Sequence, residues 1–430
     1  MFELASVRSP IAIVLVSALL GCSGDPEGTG GGGGAVGAGG AGGGGGEGGA
    51  FQLPPLPLAA VPTKSSPKAP MNVARAGHTA TLLADGSVVV IGGERLAANR
   101  DMLASVERYD PASDTWTELA PLPEPRDNHT ATLLPDGTIL IVGGGKSNAI
   151  GIPSGEQVRA EVLLYDPATG TFESLGPNLV PRHGHFAALL PSGRVLLVGG
   201  AGDISTVKPA QGAGNPQPFG NELSSAEIYD PKTRSFSQTG DLLQARFAFG
   251  AASLADGRVL VAGGASYPDV AVSHKSAEIY DEVAGGFVPA GSFAGVDRLF
   301  LGISPLADGR VLVAGGKKAN VVVVDDIEVF DPSTNDWQKS ADAPPVRTLP
   351  IVVPTQSGGA LVMGGLSCAG GSCSSRKNLD VWSPDGAVEP GPSLLHGRTR
   401  ATATVLPTGS VLVAGGYTFD SLAVVELLEP

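Results

Sequence analysis

Seven copies of one pattern, spaced near 50 residues, predict an all-β chain closed into a seven-bladed propeller of four-stranded antiparallel blades. Each copy reads as an arginine, a polar–apolar stretch, a tight turn, an aliphatic run and a Gly-Gly pair. Residues 75–93, RAGHTATLLADGSVVVIGG, show it whole. The pairs begin at Gly92, Gly143, Gly199, Gly263, Gly315, Gly364 and Gly415, at intervals of 51, 56, 64, 52, 49 and 51 residues. Composition agrees: 63 glycines and 35 prolines in 430 residues mean many turns and little long helix.

The chain opens on a stretch that does not belong to the repeats. Residues 1–21 read as an export signal, because residues 11–20 form an unbroken apolar or small run. That run is shorter than the roughly 18 residues of a membrane span, and no other run reaches that length. It ends in Leu19-Leu20-Gly21-Cys22, which resembles the lipobox of bacterial lipoproteins, with Cys22 as the lipidated residue. Residues 22–58 then read as a linker. Its glycine blocks carry no side chains with which to bury surface, and its later prolines (LPPLPL) stiffen the chain. Ser23 gives no clear retention signal, so the expected location is the cell envelope, at the outer membrane rather than the inner.

The propeller is expected over residues 59–430, with repeats starting near 75, 126, 182, 246, 298, 347 and 398. Within a repeat, residues 77–84 and 87–91 flank Asp85-Gly86, a strong hairpin signal because both central positions need positive φ. The second strand is a solid apolar run (VVVI, ILIV, VLLV, VLVA), which implies burial on both faces. The glycine pair closes that strand where a side chain would not fit between blades. A third strand follows, VERYD at 106–110, with echoes ending at Asp166, Asp230, Asp281, Asp331 and Ser383. The fourth opens on an aromatic, Trp116, Phe172, Phe236, Phe287 or Trp337, read as a core filler. The seventh repeat ends at VVELLEP without a fourth strand. Residues 61–71 are therefore expected to supply it and close the ring, leaving no sheet edge open.

The double glycine, the Tyr-Asp-Pro of strand three and the Trp of strand four together resemble the kelch-repeat family of β-propellers, over about 85% of the chain. The resemblance implies a binding scaffold with diverse partners. It also admits a minority of enzymes of the galactose-oxidase type, which need copper held by tyrosines and histidines and a tyrosine cross-linked to cysteine. This chain has three cysteines. Cys22 is taken by lipid, and Cys368 and Cys373 read as a local disulfide of an exported protein. No catalytic residue, metal site or cofactor is assigned.

Candidate contacts come from the register two residues past each repeat arginine, where kelch domains often present a side chain to the ligand. Arg400, Asn128 and Phe300 stand there. The repeat arginines Arg75, Arg126 and Arg182 are further candidates, although pairing with backbone or an acid also accounts for them. His78, His129 and His185 share a register with Phe249 and Leu301 and are read as packing residues. A charge count assigns 18 of the 28 basic and 15 of the 42 acidic residues to the loops joining strands four to one and two to three, a net of +3 on a chain of −14. The expected activity is that of a membrane-anchored binding module. Its loop face would take an acidic protein segment or an anionic glycan. A carbohydrate-active enzyme and a non-catalytic surface scaffold are the alternatives. The acidic balance argues against nucleic acid as a partner, and the chain is expected to be a monomer.

Overall fold

The computed structural model describes residue 53 and residues 55–95, 101–147, 153–202, 222–266, 273–318, 322–345, 347–369 and 372–430. The export signal, Cys22, the glycine tether and most of the long loop after Ala201 lie outside these residues.

Turn chemistry sets the register of each blade. In blade 1, Thr79–Leu82 and Val88–Ile91 pair across Asp85-Gly86, with Gly86 at φ +82°. Asp85 holds the turn by accepting from the Ser87 amide at 3.0 Å. Val106–Asp110 and Thr115–Leu119 then add outward, so the spatial order is the sequence order. Five more sheets repeat this arrangement, starting at Thr130–Leu133, Phe186–Leu189, Gly250–Ser253, Gly302–Pro305 and Ile351–Pro354.

Blade 7 takes three strands from the C-terminal end, Thr402–Val405, Val411–Ala414 and Val425–Glu429. Its outermost strand is Lys64–Lys68, antiparallel to Val425–Glu429. The expected closure by the N-terminal segment is therefore present. Pro67 sits on that edge strand, where a missing N–H costs no ladder bond. The Ser65 hydroxyl donates to Glu426 at 2.6 Å and reinforces the seam. Upstream, the Ala59 and Ala60 amides donate to Pro354 O and Gly409 O at 2.9 and 2.8 Å. Leu53, which the sequence reading placed in the linker, packs against the core between blades 2 and 3.

The core is divided into layers. Each of the seven seams holds its own cluster of buried apolar side chains, including the seam between blades 7 and 1. Val88 and Val90 point into the seam with blade 7, while Val89 and Ile91 point into the seam with blade 2. This is why the second strand carries no polar alternation. The strand-four aromatics close the outer part of each blade. Trp116 lies 5.0 Å from Tyr109, and Phe172, Phe236 and Phe287 repeat the pairing at 4.6–5.1 Å.

Candidate functional site

The repeat arginine is a staple within its blade and across the seam. Arg75 Nη1 donates to Gly92 O at 2.7 Å and Ser105 O at 3.1 Å, which ties strand two to strand three. Arg75 Nη2 pairs with Glu107 at 2.5 Å, and both side chains are fully buried. Glu107 also accepts from the Asn72 amide at 2.7 Å, fixing the incoming loop. The same pairing joins Arg182 to Glu227, Arg246 to Glu278, Arg298 to Glu328, Arg347 to Asp380 and Arg398 to Glu426. In blade 2, Leu163 occupies the acid's register. Arg126 there reaches Glu161 at 3.5 Å, and Glu161 is 35% exposed. With so weak a partner, burial pushes Arg126 down to about 10.

The backbone of the same arginine locks the neighbouring blade. Its carbonyl accepts from the second glycine of the preceding blade's pair at 2.8–3.1 Å in all seven seams, from Gly93 N to Arg126 O round to Gly416 N to Arg75 O. A Cβ on Gly92 would lie 2.6 Å from Arg126 O. The glycine pair thus permits the closest approach between blades.

Two residues further on, the chain turns inward at the axis. Gly77, Asn128, Gly184, Ala248, Phe300, Leu349 and Arg400 all have φ between 51° and 64°. They pass amide-to-carbonyl hydrogen bonds around the axis. Gly77 N donates to Arg400 O, Gly184 N to Asn128 O, Phe300 N to Ala248 O and Leu349 N to Phe300 O, at 2.8–3.1 Å. With Asn128 N donating to Gly77 O at 3.4 Å, these bonds hold the seven non-contiguous segments as two arcs, one through Arg400, Gly77, Asn128 and Gly184 and one through Ala248, Phe300 and Leu349. The left-handed backbone is affordable at non-glycine positions only because the surrounding contacts impose it.

The rim has two unlike arcs. On one, Arg400 is fully buried and its guanidinium covers Gly77, pairs with Glu94, and lies 3.7 Å from Asp127. Asp127 in turn accepts from Asn128 Nδ2 at 3.0 Å. Burial pushes Arg400 down to about 10. On the other arc, Phe247, Ala248, Leu299, Phe300 and Leu349 form a buried apolar cluster. Lys317 lies over the Phe300 ring, 5.3 Å from its centroid.

A family model for the kelch motif matches residues 74–123, which is blade 1 from its staple to the next seam. Kelch-like protein 36 of Rattus norvegicus is 27% identical over 197 residues, 46% of this chain and 28% of that protein. The chain carries a kelch motif, and its fold is a seven-bladed β-propeller of the kelch-repeat kind. Alpha-scruin of Limulus polyphemus is 32% identical over 134 residues, 31% of this chain and 14% of that one. The kelch chain thus matches less than a third of the length of these relatives. Among solved structures it is similar to a fungal alcohol oxidase of the AA5 family in complex with copper, with TM-score 0.65, 17% identity, and 86% and 76% of the two chains covered. It is also similar to YjhT, with TM-score 0.54, 18% identity, and 75% and 98% covered. At these identities the likeness is one of fold.

The kelch geometry sorts the candidate residues. Arg400, Asn128 and Phe300 do share one rim, as their common register implies. Arg75, Arg126 and Arg182 have 0% exposure and offer a ligand no surface, so the structural account is the one that holds for them. The same pairs correct the charge count. Glu107, Glu227, Glu278, Glu328, Asp380 and Glu426 lie on third strands and had been assigned to the remainder of the molecule. They contact the loop-face arginines directly, and moving six negative charges takes that face from +3 to −3. The signal was legible as the second residue of each VERYD-like strand.

Sequence reasoning also missed Glu94, Lys317 and Tyr417, which follow the glycine pairs of blades 1, 5 and 7. Each is bridged to the residue after a repeat arginine, Ala76, Leu299 or Thr399, and so is carried to the rim. The three histidines do not converge. His78, His129 and His185 bond Thr402, Thr79 and Thr130 of the preceding blade at 2.9–3.1 Å, one seam each. Cys368 and Cys373 are joined, as expected, across the hairpin of Leu366–Ala369 with Ser372–Ser375.

Proposed function

We propose that this kelch propeller is an exported, lipid-anchored interaction module that docks a partner protein on its loop face. The observation that carries the proposal is the distribution of exposed apolar side chains. Leu179 and Leu243 lie on loops joining strand four to the next blade, and Val322 and Phe419 on loops joining strands two and three. All four are exposed, Leu243 by 63% and Phe419 by 85%. Side chains of this kind on a rigid platform are what a protein interface buries first. An acidic partner is no longer favoured, because the arginines that suggested it are neutralised internally. The anchor rests on Cys22 and the apolar run before it.

The residues do not fit the copper-radical alternative. Cys368 and Cys373 are bonded to each other. Tyr109, Tyr165, Tyr229 and Tyr280, four of the six tyrosines, are buried inside blades.

The test is affinity capture from envelope extract with three baits: wild type, Leu243→Ser/Phe419→Ser, and Val283→Ser. Val283 is fully exposed on a turn at the opposite face. A protein retained by wild type and Val283→Ser but lost with the double variant supports the reading. Equal recovery on all three baits overturns it. Metabolic labelling with a fatty-acid analogue, abolished in Cys22→Ser, tests the anchor separately.

A further inference from the structure

The rim contains a cation, Lys317, that no acid among the described residues neutralises. Lys317 is 8% exposed. Its backbone is clamped, with its amide donating to Leu299 O and its carbonyl accepting from Leu299 N, both at 2.9 Å. Its side chain lies over the ring of Phe300, a member of the apolar cluster with Phe247, Leu299 and Leu349. The other buried rim cation, Arg400, pairs with Glu94. Among the described residues no carboxylate pairs with Lys317. Blade 1 places an acid at the equivalent register, Glu94, and the remaining blades place Gly145, Ala201, Ala265, Leu366 and Tyr417 there.

We propose that Lys317 and the apolar arc around Phe300 form a binding site for a carboxylate carried on an apolar body. A largely buried ammonium without a counter-ion is poorly hydrated, and an incoming anion offsets that loss while its apolar part covers the ring. Burial alone pushes the Lys317 ammonium down from its usual range, with no acid acting against it. The Phe300 face holds the cation in the meantime, since a ring quadrupole attracts it. Val322 of the docking surface lies on the same loop as Lys317, but the two readings are tested by different variants, so either can fail without the other.

The probes are 3-phenylpropionate and its primary amide, and a leucine-terminated pentapeptide with a free or amidated C terminus. Binding to the full chain is read by titration calorimetry, with the Phe300 and Lys317 resonances as site reporters. The free acid of at least one pair is expected to bind at least tenfold more tightly than its amide. Lys317→Met keeps the side chain's length and apolar packing and should erase that ratio while leaving the melting temperature unchanged or raised. A preference for the peptide acid over phenylpropionate assigns the ligand as a chain terminus, and the reverse assigns a small organic acid. The proposal is overturned if acid and amide bind alike, if no probe binds wild type, or if Lys317→Met retains the acid preference.

Discussion

Removing Glu278 should strand a buried charge. Arg246 has no exposed surface and its Nη2 lies 2.5 Å from Glu278, which also accepts from the Leu243 and Gln244 amides at 2.6 and 3.2 Å. Truncation to Glu278→Ala leaves the guanidinium and two loop amides without their acceptor. Breaking one side of a buried ion pair costs about 3–5 kcal/mol, and the orphaned amides place this case at the upper end. That is roughly two to four decades in the folding constant. Blade 2 supplies the internal control. Glu161 is partly exposed and 3.5 Å from Arg126, so Glu161→Ala should cost about 0–1 kcal/mol, the range of exposed pairs. Urea unfolding followed by tryptophan fluorescence measures both. The double variant Arg246→Met/Glu278→Leu replaces the pair with apolar volume and should recover most of the loss. Equal destabilisation by Glu278→Ala and Glu161→Ala would refute the staple, and so would a double variant no better than Glu278→Ala.

Three further outcomes follow from the same geometry. Gly92→Ala and Gly137→Ala both force alanine to positive φ, but only Gly92 faces a neighbour, with nothing within 4 Å of a Cβ on Gly137. Gly92→Ala should therefore be the less stable by about 1–3 kcal/mol, the usual cost of overpacking, measured as the difference in urea midpoints. Deleting residues 1–70 removes Lys64–Lys68 and exposes Val425–Glu429 as an open edge, so that variant should elute as aggregate on size exclusion, whereas deletion of residues 1–52 should remain monodisperse. Burial, with Arg126 beside it, pushes His129 down to about 3, and burial pushes His183 to about 4. The unfolded chain then takes up protons that the native chain refuses. Their contribution is complete above pH 6.5 and is lost as pH falls, towards about 4 for His183 and about 3 for His129. Glu328 and Asp380, raised by burial, act in the opposite sense, binding protons more readily in the native chain and so favouring it as pH falls. Comparing wild type with His129→Gln at pH 7 and pH 5 isolates the histidine, and the variant should lose less on acidification.

The architecture was legible in the chain because it is written in local rules repeated seven times. Asp-Gly turns set hairpin register, unbroken aliphatic runs announce burial on both faces, and VVELLEP without a fourth strand implies a partner strand from the other end. The identity of each arginine's acid was available too, as the second residue of VERYD. A charge count by loops separates it from its arginine, because the acid lies on a strand and the arginine on a loop. What only the tertiary structure decided is which residues share the axis. Arg400 and Glu94 are 306 positions apart, whereas Lys317 reaches Phe300 through a Leu299–Lys317 bridge whose counterpart recurs in every blade but whose side-chain contact only the fold reveals. Ring closure determines the first, because it brings blade 7 against blade 1, and the bridge within blade 5 determines the second. The sequence states which side chains are charged, whereas the fold decides which charges are cancelled and which remains.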